Sequence, residues 1–151
     1  MKQHIVRFLH AGCLCLAVSL PSAFAQASQA ITVNVPFAFQ VNNKQLPAGK
    51  YNLTAAAGQP ALLIRGVDTR QSMFGLTSPI DSKQIRQYPT LVFTRYGDRY
   101  FLSQLWMPGS HTGRGLPASA AEREVAQRWA KSGSTSGAEA LAILALPGVG
   151  K

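Results

Sequence analysis

Four side chains suited to binding a ligand flank a two-residue Gly-Asp turn: Arg95, Tyr96, Arg99 and Tyr100. Aromatic rings stack on sugars or bases, and a guanidinium forks onto a carboxylate or a phosphate. This hairpin tip, defined by those four residues, is therefore the candidate binding surface. The alternative is structural: the tyrosines cap a β-sandwich and the arginines lie over them. We favour it, because these side chains combine an apolar body with a polar tip.

The side chains that could support catalysis are few and scattered. His111 is the only histidine after residue 25, and no second imidazole or HExxH motif accompanies it. A metal or acid–base site needs such partners, so we predict a solvated loop position for His111. Asp68, Asp81 and Asp98 lie in turn signals, where aspartate usually bonds the local backbone. The sequence predicts no enzyme, cofactor or metal; a hydrolase built on an acidic pair or a histidine–carboxylate contact is the alternative.

The strongest strand signal runs from Ile31 to Val41. Apolar residues occupy every odd position there, and polar or small residues occupy the even ones. Because side chains alternate between faces in a strand, this pattern predicts one strand with a buried face. Pro36 cannot donate to a β-ladder, so we expect this strand at an edge or at a bulge. Shorter strands are predicted near residues 51–55, 61–64 and 72–76, and surface loops at 78–88 and 108–117.

Residues 90–107 are typical of a β-hairpin that turns at Gly97-Asp98. The register centred on that turn pairs Arg95 with Tyr100, Phe93 with Leu102, Leu91 with Gln104, Tyr96 with Arg99, Thr94 with Phe101 and Val92 with Ser103. Both faces of this hairpin carry bulky apolar groups, so we expect it inside a sheet system. The predicted fold is mainly β, an antiparallel β-sandwich with one C-terminal α-helix. A small closed β-barrel is the alternative.

The helix is predicted at about residues 120–131. Ser119 and Glu122 form a capping box, and Ala121, Val125 and Trp129 form an apolar stripe. Residues 132–137 read as a flexible linker, and the alanine-rich residues 138–146 favour a short helix. The predicted organisation is a signal peptide at 1–25, a β-domain with its helix at 26–131, and a linker with a short apolar tail at 132–151.

The first 25 residues have the pattern of a secretory signal peptide. Lys2 and Arg7 precede an apolar run at residues 9–20, and a small-x-small cleavage site follows it. Cleavage is predicted between Ala25 and Gln26. A retained anchor is disfavoured because spanning a bilayer takes about 20 apolar residues. The protein is therefore expected to be exported, to the periplasm or outside the cell, with no transmembrane segment after signal removal.

Export changes what the composition implies. Cys13 and Cys15 leave with the signal, so the mature chain has no disulfide and no cysteine metal site. Of the 15 Lys and Arg residues, Lys2 and Arg7 leave too, and 13 basic against 6 acidic residues give a net charge of +7. Outside the cytoplasm this charge favours anionic envelope polymers, or another envelope protein, over a specific nucleic acid as partner.

Three segments carry a resemblance: residues 35–41 (VPFAFQV) leading to 46–51 (LPAGKY), residues 95–103 (RYGDRYFLS) with Trp106, and residues 116–119 (LPAS) with 122–124 (ERE). Together they resemble a group of small exported bacterial proteins of uncharacterised function, over about residues 33–128. The resemblance implies export. It implies no activity, and it transfers no functional residue.

The sequence thus favours a non-catalytic exported domain with a binding or structural role in the cell envelope. The alternative is a small barrel that carries an apolar ligand. Its interior would be lined by aromatic and aliphatic side chains from the two strongest strand segments, namely Phe37, Phe39, Phe93, Leu102 and Trp106. A packed centre would exclude that alternative.

Overall fold

The computed structural model describes residues 28–56, 58–132 and 139–144. In chain order the elements are β1 (Ser28–Val35), β2 (Phe39–Val41), β3 (Lys44–Leu46), β4 (Gly49–Ala56), β5 (Ala61–Gly66), β6 (Ser72–Leu76), β7 (Ser78–Asp81), β8 (Thr90–Tyr96), β9 (Arg99–Trp106), β10 (Thr112–Gly115), α1 (Ala120–Lys131) and β11 (Glu139–Leu144). The predicted signal peptide, its cleavage site at Ala25 and Gln26, and the predicted linker beyond Ser132 lie outside the described residues.

The strands form two sheets. The first has the order β1-β4-β5-β6, and the second has the order β11-β8-β9-β10-β7, with β2 and β3 joined to it beside β9. Neighbouring strands are antiparallel, apart from the parallel pair of β2 and β9. The inner faces bury one apolar cluster between them. The fold is therefore the predicted β-sandwich; across the described ranges neither sheet closes on itself, so the closed-barrel alternative is wrong.

The segment predicted as one strand from Ile31 to Val41 is two strands in different sheets. β1 is an edge strand of the first sheet, as Pro36 led us to expect, and β2 belongs to the second sheet. The chain bends at residues 36–38, so the apolar alternation continues across a corner. Val35 and Phe39 are both buried on either side of it. The pattern predicted the buried face correctly and the continuity wrongly, because both halves face the same core.

The predicted hairpin forms between β8 and β9, with Gly97 at φ +64° in the turn. The predicted register is correct from the turn as far as Phe93, which lies opposite Leu102. It then shifts by one residue, so that Val92 pairs with Gln104 and not with Ser103 as predicted. Ser103 is the extra residue of this bulge, and its Oγ donates a hydrogen bond to the Val92 carbonyl oxygen at 2.9 Å.

The same shift moves the next pair, so that Leu91 lies opposite Leu105 and the predicted pairing of Leu91 with Gln104 is wrong. Both leucines are buried in the core. Leu91 shares the inner face with Phe93 by strand alternation, and the one-residue bulge in β9 returns Leu105 to the face that Leu102 already occupies.

Three segments predicted as loops or helix contain strands. β7 occupies part of the predicted 78–88 loop, and β10 occupies part of the predicted 108–117 loop; the two pair with each other. β11 replaces the short helix predicted at 138–146 and pairs with β8, with Ile143 opposite Leu91. Alanine content favoured a helix, but the open edge of β8 supplies backbone hydrogen bonds and a core contact that an isolated short helix lacks.

The helix α1 covers part of the outer face of the second sheet and gives the protein a third layer. It begins at Ala120 and ends at Lys131, as predicted, and Ser119 Oγ accepts a hydrogen bond from the Glu122 backbone N–H at 3.1 Å. Val125 is buried, and a Cβ added at Gly97 would lie 3.0 Å from the Trp129 ring. The predicted apolar stripe therefore docks on β8 and on the hairpin turn.

Candidate functional site

The four residues of the hairpin tip lie on two faces of the hairpin. Arg95 pairs with Tyr100 and Tyr96 pairs with Arg99 across the hairpin, so the two pairs point to opposite faces. On the first face, Arg95 Nε donates to the Gly97 carbonyl oxygen at 2.7 Å, and its guanidinium lies 5.6 Å from the Tyr100 ring centre. Arg99 lies between the two faces, since it lines one shallow pocket with Tyr96 and another with Tyr100.

Each tyrosine of the tip packs against a phenylalanine. Tyr100 stacks on Phe37 with ring centres 3.9 Å apart, and Tyr96 meets Phe101 edge-on at 5.9 Å. Burial raises the pKa of the Tyr96 phenol, and the nearby Glu122 carboxylate raises it further. Tyr100, with Arg95 over its ring, has the arrangement of the structural alternative, whereas Tyr96 lies on the other face of the hairpin, near Glu122 of α1. A binding role for the tip stays a prediction, and Arg95 and Arg99 are both exposed.

Glu122 is the buried acidic group of the described residues. Glu122 is only 8% exposed, and it lies on the side of α1 that faces the second sheet. Burial raises the pKa of this carboxyl, and its hydrogen bond from the Ser119 backbone opposes that rise. The capping box thus stabilises the start of the helix and also places a carboxylate where its charge is unfavourable.

Glu122→Gln is expected to stabilise the protein by about 1 kcal/mol at neutral pH, because glutamine keeps the capping box without a buried charge. The pKa of the Glu122 carboxyl is higher in the folded state than in the unfolded state. Its cost to stability therefore begins as pH rises through the unfolded-state pKa, and it is complete above the folded-state pKa. Urea unfolding at pH 7 and at pH 3 tests this. The gain should vanish at pH 3, where the carboxyl is protonated in both states; an equal gain at both pH values would contradict the argument.

A cavity of about 380 Å³ opens at the end of the sandwich beside β10. Leu105, Met107 and Gly113 are among the residues that line it, together with Arg114. Arg114 Nη1 donates to the Gln59 carbonyl oxygen at 2.5 Å and to Thr77 Oγ1 at 3.3 Å. Arg114 therefore ties β10 of the second sheet to the loops that end β4 and β6 of the first. Sequence reasoning missed this role because it placed residues 108–117 in a loop.

The apolar side chains proposed to line a ligand cavity do not surround one space. Phe37 and Phe39 both meet Phe93 edge-on, with ring centres 5.3 and 5.4 Å apart, in the packed core. Trp106 lies on the opposite face of the second sheet, beneath the Arg86 guanidinium at 4.3 Å. The arrangement suggested for an apolar ligand is therefore absent from the described part of the chain.

Two of the polar groups considered for catalysis, His111 and Asp81, bond residues that are distant in the chain, so the local backbone bond predicted for Asp81 is replaced by a contact between strands. His111 is exposed, with Nδ1 3.1 Å from the Ser82 carbonyl oxygen. Asp81 Oδ1 accepts a hydrogen bond from Thr112 Oγ1 at 3.1 Å, between β7 and β10. Within residues 28–56, 58–132 and 139–144, no group of three or more His, Cys, Asp or Glu residues could hold a metal ion. Over the same ranges, no helix has the length and apolar content needed to cross a bilayer.

An apolar patch that sequence reasoning missed lies on the outer face of the first sheet. Phe74 and Leu76 on β6 are 69% and 70% exposed, the highest values among the large apolar side chains of the described residues. They lie opposite the half-buried Leu63 and Ala61 of β5. We call these four residues the β5–β6 face. The sequence signal was the spacing of Phe74 and Leu76, two residues apart on either side of Gly75. A Cβ added at Gly75 would face inward, toward Leu116 and Val41.

Comparison with known proteins adds no relative: no protein family, no curated protein and no solved structure matches this chain. The resemblance to small exported proteins therefore stays a prediction. The geometry and charge of the surface are what remain to indicate a function.

Proposed function

We propose that this protein is an exported, non-catalytic β-sandwich domain that binds an anionic component of the cell envelope. One observation carries the proposal: the surface is cationic well beyond what its acidic groups balance. Thirteen basic and six acidic residues follow the predicted cleavage site. Such a surface attracts polyanions by a summed field and not by a single contact.

The placement of three acidic groups leaves that field available to a competing anion. Glu122 is buried on the inner side of α1. Glu124 lies 3.0 Å from Arg128, and Glu139 lies 3.4 Å from Arg95, each in an exposed ion pair. Three of the six carboxylates thus either lie away from the surface or sit beside an arginine. Because exposed pairs are held weakly, their arginines can still turn to a competing anion.

The test is retention of the exported protein on phosphocellulose and on washed envelope fractions, across a salt gradient. We expect binding at low salt that is lost as ionic strength rises, because exposed charges are screened beyond about 8–10 Å at physiological salt. A globular protein of matched net charge is the control. Retention no stronger than that control on envelope material would overturn the proposal, as would recovery of the protein only in the cytosol.

Two matched variants locate the surface that binds. Arg95→Ala with Arg99→Ala removes the cations of the hairpin tip, and Arg123→Ala with Lys131→Ala removes the same charge from the exposed side of α1. If the tip binds, the first variant alone elutes at markedly lower salt. Equal elution of the two variants removes the tip from the account and leaves the binding to another part of the cationic surface.

A further inference from the structure

We propose that the β5–β6 face is the surface by which the protein lies on a membrane that carries anionic lipid headgroups. This inference rests on the proposed function and names the partner: a lipid surface, not a soluble polymer. The β5–β6 face is apolar, and cations lie at one end of the same sheet surface. A bilayer interface matches both features, since it offers an apolar layer beneath charged phosphates.

The apolar β5–β6 face is rigidly held. Phe74 and Leu76 project from β6 on the side away from the core, while the neighbouring Gly75 lies on the buried side. Leu63 of β5 lies directly opposite Phe74 and extends the patch inward across the sheet. Because the inner side of β5 is anchored by Leu62 and Ile64, both at most 1% exposed, these outward side chains cannot fold back into the core.

The cations lie beside the β5–β6 face, at the other end of the outer surface of the first sheet. Lys50 and Arg65 are exposed and point outward, because the inward positions of β4 and β5 are taken by the buried Tyr51 and Ile64. Arg70 is exposed in the turn that joins β5 to β6, beside the single acidic group there, Asp68. Three cations against one carboxylate give this end of the face a net positive charge, which complements phosphate headgroups.

A second copy of the chain fits this face less well. Two copies stacked in the same orientation would bring Lys50, Arg65 and Arg70 toward their own equivalents, and two copies in opposite orientations would set these cations against the apolar end, where they would lose water without gaining a partner. Pairing along the edge of β6 is also hindered, because Asn42 Nδ2 donates to the Phe74 carbonyl oxygen at 3.3 Å and occupies an outward backbone acceptor. A carbohydrate polymer would use the cations and the ring of Phe74 but would leave the aliphatic Leu76 in water.

The first experiment is co-sedimentation of the exported protein with vesicles of phosphatidylcholine, with and without phosphatidylglycerol. The variant Phe74→Ser with Leu76→Ser should lose roughly tenfold or more in partitioning to the anionic vesicles. The control is Ile85→Ser with Tyr88→Ser, which removes two side chains that are 53% and 50% exposed in the loop between β7 and β8. Equal partitioning of both variants would overturn the inference.

The charged end has its own matched pair. Arg65→Gln with Arg70→Gln should reduce partitioning to the anionic vesicles by roughly tenfold or more, since each basic residue near such a surface adds to its attraction for the headgroups. Arg123→Gln with Lys131→Gln on α1 should reduce it much less. A wild-type protein that binds phosphatidylcholine vesicles as well as the anionic ones would contradict the role of the cations.

A labelling experiment reports insertion directly and does not depend on a loss of binding. A chain that begins at Gln26 has no native cysteine, so Phe74→Cys or Ile85→Cys places one environment-sensitive fluorophore at a chosen site. Anionic vesicles should shift the emission to the blue at position 74 and leave it unchanged at 85. No shift at 74 would overturn the inference.

Two further outcomes separate this inference from the proposed function. Retention on phosphocellulose and envelope polymer without vesicle binding would leave the proposed function standing and overturn the membrane contact. Concentration-dependent dimerisation in sedimentation velocity, abolished by Phe74→Ser with Leu76→Ser, would assign the β5–β6 face to a second copy and overturn the inference equally. Loss of retention on every anionic material would remove both.

Discussion

Phe93→Ala is expected to destabilise the protein by about 3–5 kcal/mol, a loss comparable with much of the stability of a typical small domain. Phe93 is completely buried on β8. Its ring meets Phe37 and Phe39 edge-on, one at the corner between the sheets and one on β2. Removing the ring leaves a cavity where the corner and the two strands meet, and it removes two aromatic contacts. Urea unfolding at 25 °C measures the effect.

The matched control is Phe74→Ala, the same chemical change at a side chain that is 69% exposed. It should alter the free energy of unfolding by no more than about 0.5 kcal/mol, because an exposed ring loses little packing. Similar losses for the two variants would contradict the placement of the core. The comparison also shows that substitutions at position 74 test membrane contact and not folding.

Gly113→Ala is expected to cost about 2–3 kcal/mol, as an overpacked site. A Cβ at position 113 would lie 2.5 Å from Trp106 Cε3, closer than side-chain atoms can approach. Trp106 cannot easily yield, because it is 4% exposed, lies under Arg86, and donates from Nε1 to Gln104 Oε1 at 2.8 Å. Either β10 moves away from β9 or the indole leaves its site. Thermal unfolding measures the cost.

A double substitution tests the physical cause. If the clash with the indole is responsible, Trp106→Leu should make Gly113→Ala far less costly than it is alone, which gives a strong non-additive term. Gly109→Ala is a useful second control, since its backbone has φ +74° but a Cβ there would meet nothing within 4 Å. It should show only the backbone strain of a left-handed position, about 1–2 kcal/mol. Additive effects at positions 106 and 113 would contradict the argument.

The elements that the sequence predicted well are those set by neighbouring residues. Ser119 and Glu122 lie within one helical turn, and the helix begins and ends at the predicted residues. The Gly97 turn fixes the hairpin register as far as Phe93. Alternation along β1 and β2 identified inward side chains that are buried in the structure, including Val33. Each of these signals acts over a few residues, and the backbone geometry of a helix or strand converts it directly into structure.

The features that sequence reasoning missed depend on residues far apart in the chain. β11 is a strand because the edge of β8 was open to it, more than forty residues earlier in the chain. The bulge at Ser103 exists because two leucines must return to one core, and the strand break after Pro36 exists because the two halves join different sheets. Local propensity contains none of this information.

The candidate sites divide in the same way. The sequence alone placed Arg95, Tyr96, Arg99 and Tyr100 beside one turn, and it established the cationic balance of the chain. The register predicted from the turn already put Arg95 with Tyr100 on one face and Tyr96 with Arg99 on the other, because pleating separates neighbours in a strand. Only the tertiary structure decided that Phe37 covers Tyr100 on one of these faces. It also decided that Phe74 stays exposed. A side chain is buried only where a second layer covers its face, and that layer is assembled from strands that are distant in sequence.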